Sequence, residues 1–249
     1  MPADIASVPI FHCFGTDQSQ TTVDTETAVE MLRASGCRHL AVNTHSVGAV
    51  SDGDDLPVGY GDATFGSVRE AFAPGELIPV LNINMPISAA EAIDRTRRAH
   101  LLTGIRAIKL EVLDPGQRLA VNAAVVEATR ELVGAGLEVW PLITPDPAAA
   151  LELEAMGCPL LRVMGSEIGS GRGIDPRWGK SIDRTLEEVA VPVMFDGGVG
   201  SPLHATEALA MGFHSVLVNS CLFGGDGSPL EELRRFVAAV RVEHEALPV

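Results

Sequence analysis

Lys109 and Glu111 stand two positions apart in the run "AIKLEVL" (107–113), which has the aliphatic, turn-free composition of a β-strand. Residues i and i+2 of a strand share a face. Ala107, Lys109, Glu111 and Leu113 therefore fall on one side, and Ile108, Leu110 and Val112 on the other. An amine carried into apolar surroundings is pushed toward its neutral form, and the neutral amine is the species that attacks a carbonyl to form an imine. Glu111, about 7 Å along the strand at about 3.3 Å per residue, is placed to move protons beside it. The alternative is a buried ion pair that only fixes packing, but such pairs add little stability and a hydrophobic pair would serve as well. Lysine occurs at two positions in the whole chain, 109 and 180, so one inside a strand is hard to dismiss as a random surface residue.

A second group of candidates lies late in the chain. In "FDGGVGSP" (195–202), Asp196 shares parity with Met194, opposite Val193 and Phe195, which marks it as an inward proton-transfer partner. Gly197, Gly198 and Gly200 let backbone N–H groups approach an anion, and a helix starting near Pro202 adds its positive end. Asn219 and Ser220, in "NSCLFGGDG" (219–227), are further hydrogen-bond donors. A third glycine-rich run, "GSEIGSGRGID" (165–175), contains Gly171 and matches neither a Walker loop nor a dinucleotide fingerprint. It reads equally well as a flexible loop and as a substrate contact. Arg162 is inward by parity and suits either an acidic neighbour or a ligand, while Asn82 and Asn84 offer polar contacts to a hydroxylated ligand. His12 and His45 form no metal pattern, so no metal site is expected; Cys221 reads as a small hydrophobe.

These residues need a scaffold that points them into one space. Short β-rich runs recur at 9–14, 39–45, 77–84, 107–113, 138–143, 160–165, 192–198 and 215–221, with helical stretches such as 89–104, 124–136, 146–157 and 229–245 between and after them. Strand–helix alternation predicts a parallel sheet, and eight units in this length predict a single (β/α)8 TIM barrel over residues 1–249. A doubly wound open sheet is the competitor, but its phosphate loop would follow the first strand, whereas the glycine-rich loops here come late. Inside a barrel Lys109 and Glu111 point inward, with Glu111 nearer the C-terminal mouth, and the loops after strands seven and eight form the usual phosphate site. Residues 46–63 form a long polar connection on the same side.

Hydrophobic residues at 46% supply a substantial core, and a net charge of −15 argues against nucleic acid and anionic membrane surfaces. No apolar run is long enough to span a bilayer, the N-terminal stretch lacks the marks of a secretion signal, and the four cysteines are scattered. A cytoplasmic protein is expected.

The strand lysine, the late Asp-Gly-Gly loop and "VLVNS" (216–220) together resemble the thiazole synthase (ThiG) family, from about residue 105 to the end of the chain. The resemblance implies Lys109 as the imine-forming amine and Glu111 and Asp196 as its acid/base neighbours. It also implies Gly171, Gly197, Gly198, Asn219 and Ser220 as substrate and phosphate contacts, with no cofactor. Its partners would be a phosphorylated sugar and a small sulfur-carrier protein ending in a thiocarboxylate, and its members are usually homo-oligomers. The first hundred residues depart from the pattern. "FGTDQS" (14–19), "AVNTHSV" (41–47) and "NINMPI" (82–87) stand where the family has a "GTGKY"-like strand, an arginine-rich end and an "NTAG"-like end. All three ends face the mouth, so the lysine chemistry is kept while part of the substrate surface is replaced. The divergent, BexX-like 2-thiosugar synthase branch, acting on glucose 6-phosphate, fits that split. Thiazole phosphate synthesis from 1-deoxyxylulose 5-phosphate, an imine-forming aldolase and a non-catalytic phosphosugar-binding scaffold are the alternatives.

Overall fold

A computed structural model of the chain describes residues 10–15, 22–224 and 227–246. Position 9 of the first expected strand, residues 16–19 of "FGTDQS" and positions 225 and 226 of the last glycine-rich loop lie outside the described residues.

Eight strands alternate with helices. The first half runs β1 (Ile10–His12), α1 (Thr25–Ser35), β2 (His39–Asn43), α2 (Phe65–Arg69), β3 (Ile78–Ile83), α3 (Ala89–Thr103), β4 (Ala107–Leu110) and α4 (Asn122–Gly134). The second runs β5 (Glu138–Ile143), α5 (Pro147–Ala155), β6 (Leu161–Val163), α6 (Gly179–Glu188), β7 (Val193–Phe195), α7 (Pro202–Ala210), β8 (Ser215–Val218), α8 (Ser220–Phe223) and α9 (Pro229–Ala246). All neighbouring strands pair in parallel, in the order β1-β8-β7-β6-β5-β4-β3-β2, so the sheet wraps into a nearly closed (β/α)8 barrel with β1 and β2 at its seam.

Local chemistry sets the helix ends. Asp24, Ser88, Asp146 and Ser201 accept hydrogen bonds from first-turn N–H groups, and Pro147 and Pro202 occupy first-turn positions where no N–H is needed. Gly36 and Gly104 end α1 and α3 in the left-handed conformation. The strands are shorter than the β-rich runs that contain them. Pairing of β4 with β5 ends at Leu110, opposite Pro141. Glu111 lies past the regular strand yet keeps its alternation, because its N–H still donates to Ile83 O at 2.9 Å.

Outward-facing strand residues such as Val42, Leu81, Ile108, Leu110, Val139, Val163 and Phe195 pack on the helices as one core. The inward face is layered. At its base Phe11, Ala41, Val80, Trp140, Met194 and Leu217 form an apolar plug, with His39 between the Phe11 and Trp140 rings at 5.6 and 5.3 Å. His12 points the other way, beneath α1, where it meets Ser35 Oγ at 3.0 Å and burial lowers its pKa to about 4. Above the plug the interior turns polar, and that change of layer creates the site.

Candidate active site

One inward residue from each of several strands meets in the polar layer. Lys109 is paired with Asn82 across β3 and β4, and its ammonium donates to Asn82 Oδ1 at 3.1 Å and to Glu111 Oε1. Arg162, from β6, is wholly buried. Its Nη2 donates to Glu111 Oε1 at 2.6 Å, its Nε to Asp196 Oδ2 at 2.7 Å, and its Nη1 to the carbonyls of Leu110 and Trp140 at 3.3 and 3.4 Å. The chain of bonds continues outward: Asn82 Nδ2 donates to Asn43 Oδ1 at 2.7 Å, and Asn43 Nδ2 to Gly59 O at 2.8 Å. Two cations and two carboxylates, each at most 7% exposed, therefore form one charge-balanced network. An isolated charge at this depth would cost several kcal/mol, which the network avoids. The Lys109 ammonium is thus held by acceptors, where strand patterning predicts apolar surroundings.

Burial alone pushes the Glu111 carboxyl up. The charges of Lys109 and then Arg162, with their hydrogen bonds, outweigh that and lower it from 4.5 to about 2. A depressed carboxyl contributes stability that is fully present above its unfolded value and lost as pH falls through its folded value. The fold should therefore lose stability as pH drops from about 4.5 toward 2, and Glu111→Gln should flatten that segment. Urea midpoints measured along the pH series check this; equal slopes in both proteins would remove Glu111 from the account.

Above the network lies a cavity of about 130 Å³, lined by Lys109, Glu111, Asp196, Gly197, Gly198, Asn219 and Ser220, with Asn82 and Asn84 on another side. Residue type and strand parity mark these groups one at a time; closure of the barrel brings them to a common space. Gly171 is the exception among the candidates. It packs behind that wall, where a Cβ on Gly200 would lie 2.2 Å from its carbonyl oxygen. Gly197 and Gly198 have φ of +98° and +93°. They lock to the preceding loop, as Gly165 N donates to Gly197 O at 3.1 Å and Gly173 N to Gly198 O at 2.7 Å. Asn219 is tied to Gly15 through both amide atoms, at 2.9 and 3.1 Å, which joins β8 to β1 across the mouth.

Other wall residues carried no signal in the sequence: Cys13, Tyr60, Met85, Gln117 and Ile168. Met85 and Gln117 hold φ of +76° and +55°, uncommon for residues with a Cβ, and both face the cavity. Tyr60 belongs to the 46–63 connection, which is pinned rather than loose. A Cβ on Gly59 would lie 2.3 Å from Phe14 O, one on Gly61 2.3 Å from Val23 O, and Asn43 N donates to Pro57 O at 2.9 Å. His45 stacks on the Tyr60 ring at 5.4 Å, and Asn84 Nδ2 donates to Tyr60 Oη at 3.3 Å. Cys221 is largely buried and does not line the cavity. Among the described residues no cluster of His, Cys, Asp and Glu is arranged to hold a metal ion, and no helix is long and apolar enough to cross a membrane.

Residues 67–247 match the family model described as thiazole biosynthesis protein ThiG. The chain belongs to the thiazole synthase family. The match reaches further toward the N-terminus than the motifs do, taking in β3 and α3. The thiazole synthase of Prochlorococcus marinus is 33% identical over 215 residues, covering 83% of this chain and 74% of that enzyme. That of Shewanella amazonensis is 34% identical over 160 residues, covering 64% of this chain and 58% of that enzyme. The crystal structure of the Amycolatopsis orientalis BexX/CysO complex is similar over 97% of this chain and 93% of the matched chain, with 27% identity and a TM-score of 0.79. Family membership and the barrel thus rest on independent comparisons, and the likeness to the complex includes the N-terminal strands that the family model leaves out.

Proposed function

We propose that this chain is a sulfur-inserting synthase that joins Lys109 to a phosphorylated sugar as an imine. Glucose 6-phosphate is the foremost substrate and a 2-thiosugar phosphate the product. The observation that carries the reading is the buried amine of Lys109, held between Glu111 and Asn82 at the floor of a cavity rimmed by glycine loops. The amine adds to the aldehyde carbon of the open-chain sugar, and water leaves as the imine forms. Glu111 and Asp196 are the groups in reach to take a proton from C2 and return one to C1, which relocates the carbonyl to C2. Sulfur then arrives as the C-terminal thiocarboxylate of a carrier protein. It bonds to C2, and the C2 oxygen departs on the carrier as a carboxylate, so sulfur replaces oxygen without net redox change. The proton shift then runs in reverse, from C1 to C2, which leaves a thiol on C2 and an imine at C1, and hydrolysis of that imine frees the lysine. Gly197, Gly198, Asn219 and Ser220 hold the phosphate beside the start of α7, and Gly171 supports them from behind.

Two observations favour this substrate. The whole-chain likeness is to a protein crystallised as a BexX/CysO complex, which also supports a small protein partner. The cavity wall opposite the glycine loops is built from Asn82, Asn84 and Tyr60, amide and phenol groups suited to hydroxyls. The names of the curated relatives favour the second reading, thiazole phosphate synthesis from 1-deoxyxylulose 5-phosphate. Borohydride trapping with each sugar, read by intact-protein mass, separates them. An adduct with glucose 6-phosphate is expected; an adduct with the deoxyxylulose phosphate alone would reverse the order.

A further inference from the structure

Arg162 is the feature of the site that the proposed chemistry leaves without a task. It does not line the cavity, yet it is the group that joins the two carboxylates. Its contacts are selective by atom. Glu111 takes both Lys109 and Arg162 on Oε1, and Asp196 takes both Nε and Nη2 of Arg162 on Oδ2. The second oxygens, Glu111 Oε2 and Asp196 Oδ1, stay outside these bonds on residues that line the cavity.

We infer that Arg162 is a positioning residue that holds Glu111 and Asp196 side by side and turns one oxygen of each toward the substrate. Two carboxylates gathered this closely around one site repel each other, and the guanidinium bridging them offsets that repulsion. The fork of a guanidinium spans both at once, and the Leu110 and Trp140 carbonyls fix its plane. The charged and titratable groups around it are Glu111 and Lys109 from the β4 segment, Asp196 after β7 and the Cys13 thiol after β1. Without Arg162 a single ammonium faces two carboxylates, the Glu111 carboxyl loses one of the two cations that hold it down, and the two free oxygens lose their common anchor. The inference rests on the imine reading of Lys109 for its consequence in turnover, though not for its geometry.

The test compares wild type, Arg162→Met and Arg162→Lys, with glucose 6-phosphate as the probe and cyanoborohydride trapping across a pH series. Arg162→Met should move the acid limb of trapping upward by about 1–3 pH units, the displacement an adjacent arginine typically imposes on a carboxylate. Arg162→Lys, which restores the charge without the fork, should return the limb toward wild type while trapping stays slower. A limb unchanged in Arg162→Met would overturn the inference. If that variant does not fold, infrared spectra of the wild type decide. Between about pH 5 and about pH 8, above the ordinary carboxylate range, the spectrum should contain no protonated-carboxyl band that Glu111→Gln removes. Such a band would overturn the inference. Failure of the wild type to trap any sugar phosphate sinks the imine reading instead, and leaves the infrared result to decide the role of Arg162.

Discussion

Lys109→Ala should lose covalent capture of the sugar entirely, with turnover reduced by at least about 10⁴-fold, the scale seen when a nucleophile is removed from a unit that acts together. The magnitude follows from the absence of a substitute. The chain's other lysine, Lys180, is exposed near the start of α6 and is not part of the cavity wall. Arg162 is in the network, but a guanidinium does not deprotonate in proteins and forms no imine with a sugar. The substitution also removes the largest cause holding Glu111 down, so that carboxyl should rise and the protein should become less stable. Intact-protein mass after borohydride, with circular dichroism to confirm folding, separates lost chemistry from lost structure. An adduct of unchanged mass on the folded variant would place the nucleophile elsewhere.

Gly198→Ala should damage both fold and site through a single added methyl group. At φ +93° an added Cβ would sit 2.1 Å from Ser166 Oγ, 2.6 Å from Gly173 O and 3.0 Å from Ser166 N. The hydroxyl can rotate, but the two backbone atoms cannot move without parting the loop after β6 from the loop after β7. Strain from the positive φ alone costs about 1 kcal/mol, and forced separation of packed backbone adds about 1–3 kcal/mol. In a chain of this size the sum corresponds to a fall of about 5–15 °C in melting temperature. Sugar-phosphate binding should weaken by about 10-fold or more, since the displaced loop lines the cavity. Gly36→Ala is the control. Its φ is +71° and its Cβ meets nothing within 4 Å, so it isolates the backbone strain far from the site. Equal melting shifts for the two variants would mean that the loop junction yields freely.

The sequence was most legible where one element decided the outcome. Alternation in "AIKLEVL" put Lys109 and Glu111 on the inward face, and the structure keeps both there although the regular strand ends at Leu110. Parity likewise turned Arg162 and Asp196 inward, and both are buried in the same network. Strand ends were less legible. A β-rich run is a statement about side chains, whereas a ladder also needs a neighbouring strand in register, and β5 supplies that to β4 only as far as Leu110. The polar composition of the 46–63 connection gave no sign of what holds it. Its order comes from Gly59 and Gly61 pressed on backbone at Phe14 and Val23, contacts that have no local signature.

Composition and periodicity by themselves determined the barrel, its single parallel sheet and the inward lysine, because each follows from side chains alternating along one strand or repeating from unit to unit. Tertiary structure alone decided that this lysine would meet Glu111, Arg162 and Asp196 as one balanced network rather than as a lone desolvated amine. It also decided that Tyr60, Met85 and Gln117 would complete the wall. Charge compensation and cavity shape depend on distances between residues as far apart in the chain as Glu111 and Asp196, and only closure of the strands brings those distances within reach of a hydrogen bond to a shared guanidinium.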